Sequence, residues 1–278
     1  MDIEPIEKVA RAGVSKAALM VNDLPRYILR CVLAGLYLSI VVLVYWCLIE
    51  NLHGSPFGKV LASAFFGVGL SVIVFTQSEL FTSNNMYLAV SSAGGRTLWR
   101  QAWWLWGICW VGNLIGALLL CVLLVGAGVL AELPASHALH AGALHKAHQG
   151  ALAIFSKGIL ANWVVCLAVW VAMRVKEDLT RIVVMILVVF IFLYLGFEHS
   201  IANMGTFSMS MLGQGTLTLG DAVFNLLFST LGNIVGGAVF VGLAYQFLEA
   251  PKASDTASRA TVTEAAGEPQ GPLIRQTR

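Results

Sequence analysis

The stretch FEHSIANM, Phe197–Met204, closes a run from Ile182 that contains no charged residue. Glu198 and His199 then stand side by side, and Asn203 follows. The surrounding chain has 278 residues, 58% of them hydrophobic and only 12% charged, with a mean hydropathy of +0.80. A soluble domain carries roughly twice that charge density. So much apolar surface exceeds what a soluble core hides, and the long uncharged runs read as membrane-spanning helices. The expected class is therefore an all-α integral membrane protein whose first partner is the lipid bilayer. The formal charge of +2 gives no argument for a nucleic acid or an acidic partner. Cys31, Cys47, Cys109, Cys121 and Cys166 all lie within apolar runs and form no CxxC pair, so they read as small packing residues. The first thirty residues are mixed polar and basic. No cleavable signal peptide is expected, and the first span itself directs insertion.

Six runs approach spanning length: Cys31–Ile49, Val60–Ser78, Gln101–Ala131, Gly158–Met173, Ile182–Phe197 and Ala222–Leu248. Basic residues gather in the N-terminal segment and in alternate connections, with Arg96 and Arg100 in one and Arg174, Lys176 and Arg181 in another. The first–second and fifth–sixth connections hold Lys59 alone. This alternation places both termini in the cytoplasm. The expected organisation is a cytoplasmic segment 1–30, a six-helix domain 31–248, and a disordered cytoplasmic tail 249–278 poor in apolar residues. Four histidines, His137, His140, His145 and His148, fall in the outer third–fourth connection, at spacings too irregular for a metal site. That connection is expected to be partly helical. Trp99, Trp103 and Trp104 at the start of the third run suit an interfacial belt.

Two segments repeat. VGNLIG (Val111–Gly116) resembles LGNIVG (Leu231–Gly236) at an offset of 120 positions (231 − 111). SELFTSNNM (Ser78–Met86) resembles FEHSIANM, with Glu79 on Glu198 and Asn84 on Asn203, both at an offset of 119. Two matches in the same order suggest a duplication. Each half holds three spans, so the halves are inverted in the membrane. The polar motif follows the middle span of each half. Polar backbone at membrane depth is tolerated only where it lines a cavity or is buried in protein, so Glu79, Thr82, Glu198 and His199 are expected to converge. Asn113 and Asn233 are expected to bond backbone groups freed by the breaks, and the glycines beside them suit close helix packing.

SELFTSNNM, GILANWVVCLAVW (Gly158–Trp170), FEHSIANM and GNIVGG (Gly232–Gly237) together resemble the formate/nitrite transporter family, in order, from about residue 5 to 248. The resemblance implies a homopentamer of aquaporin-like six-helix protomers, each with its own pore and with broken second and fifth helices. It implies that His199 is the pore histidine, Thr82 the threonine after the second helix, and Lys146 the lysine on the outer side. Lys157 stands in the wrong register for that role. Asn162 and Asn203 match further polar positions. The resemblance puts Phe66, Leu70, Leu80, Phe81, Val165 and Phe192 at the apolar constrictions. The chain departs from the common pattern at Gln77, Ala161 and Ser83, where many relatives have glycine, cysteine and glycine.

The implied substrate is a small anion of a weak acid: nitrite, formate or hydrosulfide, moving with protons. FSKGILANWVVCLAVWVAMR (Phe155–Arg174) favours the nitrite branch, with formate as the alternative. A bare anion loses its hydration in an apolar constriction. Lys146 is expected to draw it to the outer mouth. His199 is expected to supply or share a proton near the centre, with Thr82 orienting the ring or bonding the substrate and Glu198 bonding backbone amides around the break. A neutral-solute pore of aquaporin type is the rival reading. No cofactor fingerprint, metal-ligand set or nucleophile–base pair argues for an enzyme.

Overall fold

Every regular element among residues 5–249, which the computed structural model describes, is helical. The expected disordered tail lies outside those residues apart from Glu249. In chain order the helices are α1 (Pro5–Asn22), α2 (Leu24–Asn51), α3 (Gly58–Phe75), α4 (Phe81–Ala93), α5 (Trp99–Gly126), α6 (Ala138–Ala147), α7 (Ala151–Arg174), α8 (Asp178–Tyr194), α9 (Ser200–Leu212) and α10 (Leu219–Ile234). A π-helical stretch, Val235–Leu243, continues α10 into α11 (Ala244–Glu249).

Polarity is arranged inside out. Phe65, Val122 and Leu187 are exposed, while Asn84, Asn113, Asn162 and Asn233 are fully buried. An apolar exterior of this kind suits hydrocarbon and not water. Five helical stretches are long and apolar enough to cross a membrane: α2, α3, α5, α7 and Leu219–Leu248. The 17 residues of α8 reach about 26 Å at 1.5 Å per residue, short of the hydrocarbon thickness, and the chain regains helix as α9.

Caps, more than hydropathy, set the ends. α2 begins at Leu24, before its uncharged run, because Asp23 accepts from the Arg26 N–H at 3.1 Å and Pro25 occupies the first turn. α10 begins at Leu219 because Thr218 and Asp221 form a reciprocal capping box. α5 stops at Gly126, five residues before its apolar run ends. Gly128 takes φ 76 there, and its N–H and that of Val129 bond back to Val125 and Leu124.

α1 is a docked helix. Arg96 grips the Glu7 carboxylate with both guanidinium nitrogens, at 2.9 and 2.5 Å, and Lys8 donates to the Met173 carbonyl at 3.1 Å. The Arg96 hydrogen bonds, with Arg11 second, push the Glu7 carboxyl down to about 2. Its contribution to stability is therefore complete above the ordinary carboxylate range and is lost as pH falls toward 2. α2 spans about 42 Å, with α1 at its first end. At its other end Glu50 accepts from the Ala138 N–H at 2.7 Å, and Trp46 packs on Gly142 of α6. The molecule thus has an α1 face and an α6 face.

Two breaks lie between them. α3 ends as the Gln77 N–H bonds Val74 O at 3.2 Å and the Ser78 N–H bonds Ile73 O at 3.0 Å. α8 ends the same way: Gly196 N–H to Leu193 O at 3.1 Å, Phe197 N–H to Phe192 O at 3.0 Å. The left-handed position is Gly196 (φ 71) in one break and Gln77 (φ 55) in the other. Each following stretch is held by one buried asparagine. Asn113 accepts from the Phe81 N–H at 2.9 Å and donates to the carbonyls of Glu79 at 2.9 Å and Cys31 at 2.7 Å. Asn233 accepts from the Ser200 N–H at 2.8 Å and donates to Glu198 O at 2.9 Å and Gly158 O at 2.8 Å. The glycines three residues later let the helices approach. A Cβ on Gly116 would meet Val32 O of α2 at 2.0 Å, and one on Gly236 would meet Ile159 O of α7 at 2.2 Å.

Left-handed φ costs an L-residue about 1–2 kcal/mol. Gln77→Gly should therefore stabilise the protein by about 1 kcal/mol and raise its thermal midpoint in detergent, whereas Gly196→Gln should lower it. A fall for Gln77→Gly would contradict the strain at this break.

Candidate functional site

His199 is the N-cap of α9, and its Nδ1 accepts from the Ala202 N–H at 3.2 Å. That bond needs a lone pair on Nδ1, so the proton of the neutral ring sits on Nε2. Nε2 lies 3.0 Å from Thr82 Oγ1 in the first turn of α4. The two short helices therefore begin at the same place, and their positive ends converge there. A second proton on the ring would have to enter at Nδ1 and break the cap. Thr82 is fully buried. The Asn162 amide holds its carbonyl at 3.0 Å and also reaches Asn233 O at 2.6 Å, tying α4 to α7 and α10.

Beside His199 lies an apolar cavity lined by Leu38, Phe66, Leu70, Leu80, Val165, Val189 and Phe192. About 10 Å³ is open to the centre of a water molecule, room for one at most. Phe192 stacks on His199, with centroids 5.7 Å apart and planes at 26°. The edge of Phe66 packs against Phe192 at 5.9 Å. Five of the six residues expected at the constrictions line this cavity. Phe81 is not among the lining residues; it is buried at the start of α4, where its amide meets Asn113. Leu38 and Val189 line the cavity and carried no sequence motif that singled them out.

A buried glutamate flanks each side. The Glu198 carboxylate was expected to bond backbone amides; among the described residues its partners are side chains instead. Its Oε1 accepts from Lys146 Nζ and Gln149 Nε2, both at 3.1 Å, and its Oε2 accepts from Asn203 at 2.6 Å. The reason is local: Asn233 already serves the amides and carbonyls of the break, which leaves the carboxylate for side chains. Asn203 also bonds Asn225 at 2.9 Å. Lys157, set aside on register, joins the cluster by donating to Gln149 Oε1. On the α1 side Glu79 Oε2 accepts from Lys16 Nζ at 2.6 Å and from Asn84 at 2.9 Å. Lys16 and Gln149 escaped the sequence reading. Lys16 lies 63 positions from its partner, in a segment read only as polar and basic.

The arrangement can offer a small anion two donors, Nε2–H and a hydroxyl, between convergent helix ends. Among the described residues no group of three His, Cys, Asp or Glu side chains is placed to share a metal.

Comparison with known proteins places the sequence and the fold. A formate/nitrite transporter family profile matches residues 3–247. The nitrite transporter NirC of Escherichia coli K12 is 34% identical over 257 residues, covering 91% of this chain and 94% of the relative. The formate channel FocA of the same strain is 33% identical over 262 residues, covering 86% and 90%. An uncharacterized transporter of Bacillus subtilis, YwcJ, is 34% identical over 258 residues, covering 89% and 98%. Among solved structures, an FNT family ion channel superposes with a TM-score of 0.84 at 31% identity, covering 88% of this chain and 98% of that one. A pentameric formate channel with formate bound gives 0.68 at 29%, covering 80% and 96%. Likeness of sequence and of fold along nearly the whole length carries one conclusion: the chain belongs to the formate/nitrite transporter family.

Proposed function

We propose that this protein passes a small weak-acid anion, nitrite before formate or hydrosulfide, together with a proton across the cytoplasmic membrane. The observation that carries the reading is the 3.0 Å contact between Thr82 and His199 beside an apolar cavity. The topology we infer has six spans in two inverted three-helix halves. The second span is α3 with α4, and the fifth is α8 with α9. Both termini face the cytoplasm, which makes the α1 face cytoplasmic. The solved relative that is a pentameric formate channel supports a homopentamer with one pore per protomer.

The energetics follow from the walls. Phe66, Leu70, Leu80, Val165 and Phe192 form the constriction and offer an anion no hydration. Desolvation raises the pKa of the substrate's acid, so the neutral acid is the form that crosses the apolar cavity. As it passes, it accepts hydrogen bonds from His199 Nε2–H and the Thr82 hydroxyl. The ring acts as a neutral donor, because its other nitrogen is occupied by the α9 cap. The proton that neutralises the anion comes from water at the mouth and leaves to water on the far side. Asn162 and Asn203 hold the frame of the site. Lys146 and Glu198 form one mouth, and Lys16 and Glu79 form the other.

Nitrite leads because the α7 sequence FSKGILANWVVCLAVWVAMR resembles the nitrite branch. Proteoliposome uptake of nitrite, formate and hydrosulfide at several pH values tests the ranking. Uptake should be fastest for nitrite and should rise as pH falls. No flux of any of the three, with water or glycerol passing instead, would replace this reading with a neutral-solute pore.

His199→Phe removes the donor and the cap. Anion flux should be lost, with a stability cost of about 1 kcal/mol from the cap. Persisting pH-dependent flux would remove the histidine from the mechanism. Thr82→Val keeps the shape and deletes one hydroxyl. Flux should fall about tenfold, the equivalent of one hydrogen bond, while Thr82→Ser keeps most of it.

A further inference from the structure

Each mouth holds two basic residues against one glutamate. Glu79 is ion-paired with Lys16 and Glu198 with Lys146. Lys16 is satisfied twice, because its ammonium also lies 4.9 Å above the Tyr87 ring. The second basic residue of each mouth is placed by the backbone. The carbonyl of Arg30 accepts from the Glu79 N–H at 3.1 Å, and the carbonyl of Lys157 accepts from the Glu198 N–H at 3.3 Å. The residues that follow them, Cys31 and Gly158, give their carbonyls to Asn113 and Asn233. Arg30 and Lys157 are therefore structural equivalents, 127 positions apart (157 − 30).

Among the described residues neither has a carboxylate partner. Lys157 bonds the neutral Gln149, and among the described residues no acidic group pairs with Arg30. With the pairs counted as ionised, the three charged residues around each buried glutamate sum to one net positive charge: Lys16 and Arg30 against Glu79, Lys146 and Lys157 against Glu198. On the α1 face that charge borders a cavity of about 240 Å³ whose lining includes Ser15, Lys16, Arg30, Ser78, Glu79 and Ser83. The volume suits a two-oxygen anion with several of its waters.

Resting on the transport reading above, we propose that Arg30 and Lys157 supply the uncompensated charge that gathers substrate at the two mouths. Arg30 binds a planar two-oxygen anion in the α1-face cavity. A guanidinium presents paired donors that match such an anion, whereas an ammonium is a point charge. The α1 mouth therefore discriminates by shape, and the α6 mouth by charge alone.

The test is initial flux in right-side-out and inverted membrane vesicles, with wild type, Arg30→Gln, Arg30→Lys and Lys157→Gln. Nitrite, formate and hydrosulfide are each titrated at low and high salt. Removing one focusing charge should raise the half-saturating concentration roughly tenfold at low salt, and less at high salt. Arg30→Gln should show this in one vesicle orientation and Lys157→Gln in the other, with maximal flux and pH dependence little changed. Arg30→Lys should restore hydrosulfide fully and nitrite and formate only in part. Half-saturation unchanged in both orientations for Arg30→Gln overturns the proposal, as does a uniform loss of maximal flux. Wild-type vesicles that pass none of the three anions sink the transport reading instead. Arg30 is then judged by the thermal midpoint in detergent, at equal ionic strength with sodium nitrite or sodium chloride. A nitrite-specific rise that Arg30→Gln removes supports the site, and a rise it leaves intact, or no rise in wild type, overturns it.

Discussion

A backbone that leaves its helix at membrane depth must have each freed N–H and C=O paired by the protein itself. Each group left bare costs about 1–3 kcal/mol. Two breaks in this chain raise that demand twice, and each time one asparagine side chain carries three of the bonds, with the carbonyl of Arg30 or Lys157 taking the N–H of the glutamate. Asparagine carries an acceptor and two donor hydrogens on one short planar group, so Asn113 and Asn233 each cap the new helix and hold two carbonyls. Their reach is short, which forces α5 onto α2 and α10 onto α7. The glycines at 116 and 236 are a consequence: with backbone oxygens about 2 Å from where a Cβ would stand, no other residue fits.

The same constraint builds the site. Capping the two new helices at the breaks points both positive ends at the space between Thr82 and His199. Because the α9 cap takes the lone pair of Nδ1, His199 is held with its proton toward Thr82. The centre thus favours an anion through dipoles and donors without a formal charge of its own. Formal charges are kept to the mouths, where each buried carboxylate is met by an ammonium and an asparagine amide.

What could be read in the sequence follows from distance along the chain. The breaks announced themselves because their parts are close together: Glu79 with Asn84, Glu198 with Asn203, and each asparagine inside a glycine cluster. The repeat offset even carried Gln77 onto Gly196, and the structure gives that pair the same left-handed place. Lys16 was illegible. It reaches Glu79 from a helix outside the apolar runs, and its surroundings share no motif with those of Lys146. Register set Lys157 aside from the place Lys146 takes beside Glu198, but register along α7 says nothing of Gln149, which bridges Lys157 to the same carboxylate. Helix ends were misplaced wherever a cap outvoted hydropathy, as at Asp23 and Gly128. Leu38 and Val189 are apolar residues in apolar helices, and only the packing of α2, α3, α7 and α8 against one another singles them out beside His199.

The buried glutamates look out of place in a path for anions, since each repels the substrate. Removing one would leave a lysine and an asparagine amide without their acceptor, and an uncompensated buried charge is costly. Structure alone, however, would be served by a neutral acceptor. A conduction path needs more, because a site must be favourable enough to enter and weak enough to leave. A lone lysine at the edge of an apolar constriction would hold the anion it attracts. On the transport and the charge-gathering proposed above, sharing its ammonium with a glutamate would weaken that grip, and the second basic residue would keep the mouth net positive. Attraction at range and weak contact up close then come from different residues, so one can be tuned without the other.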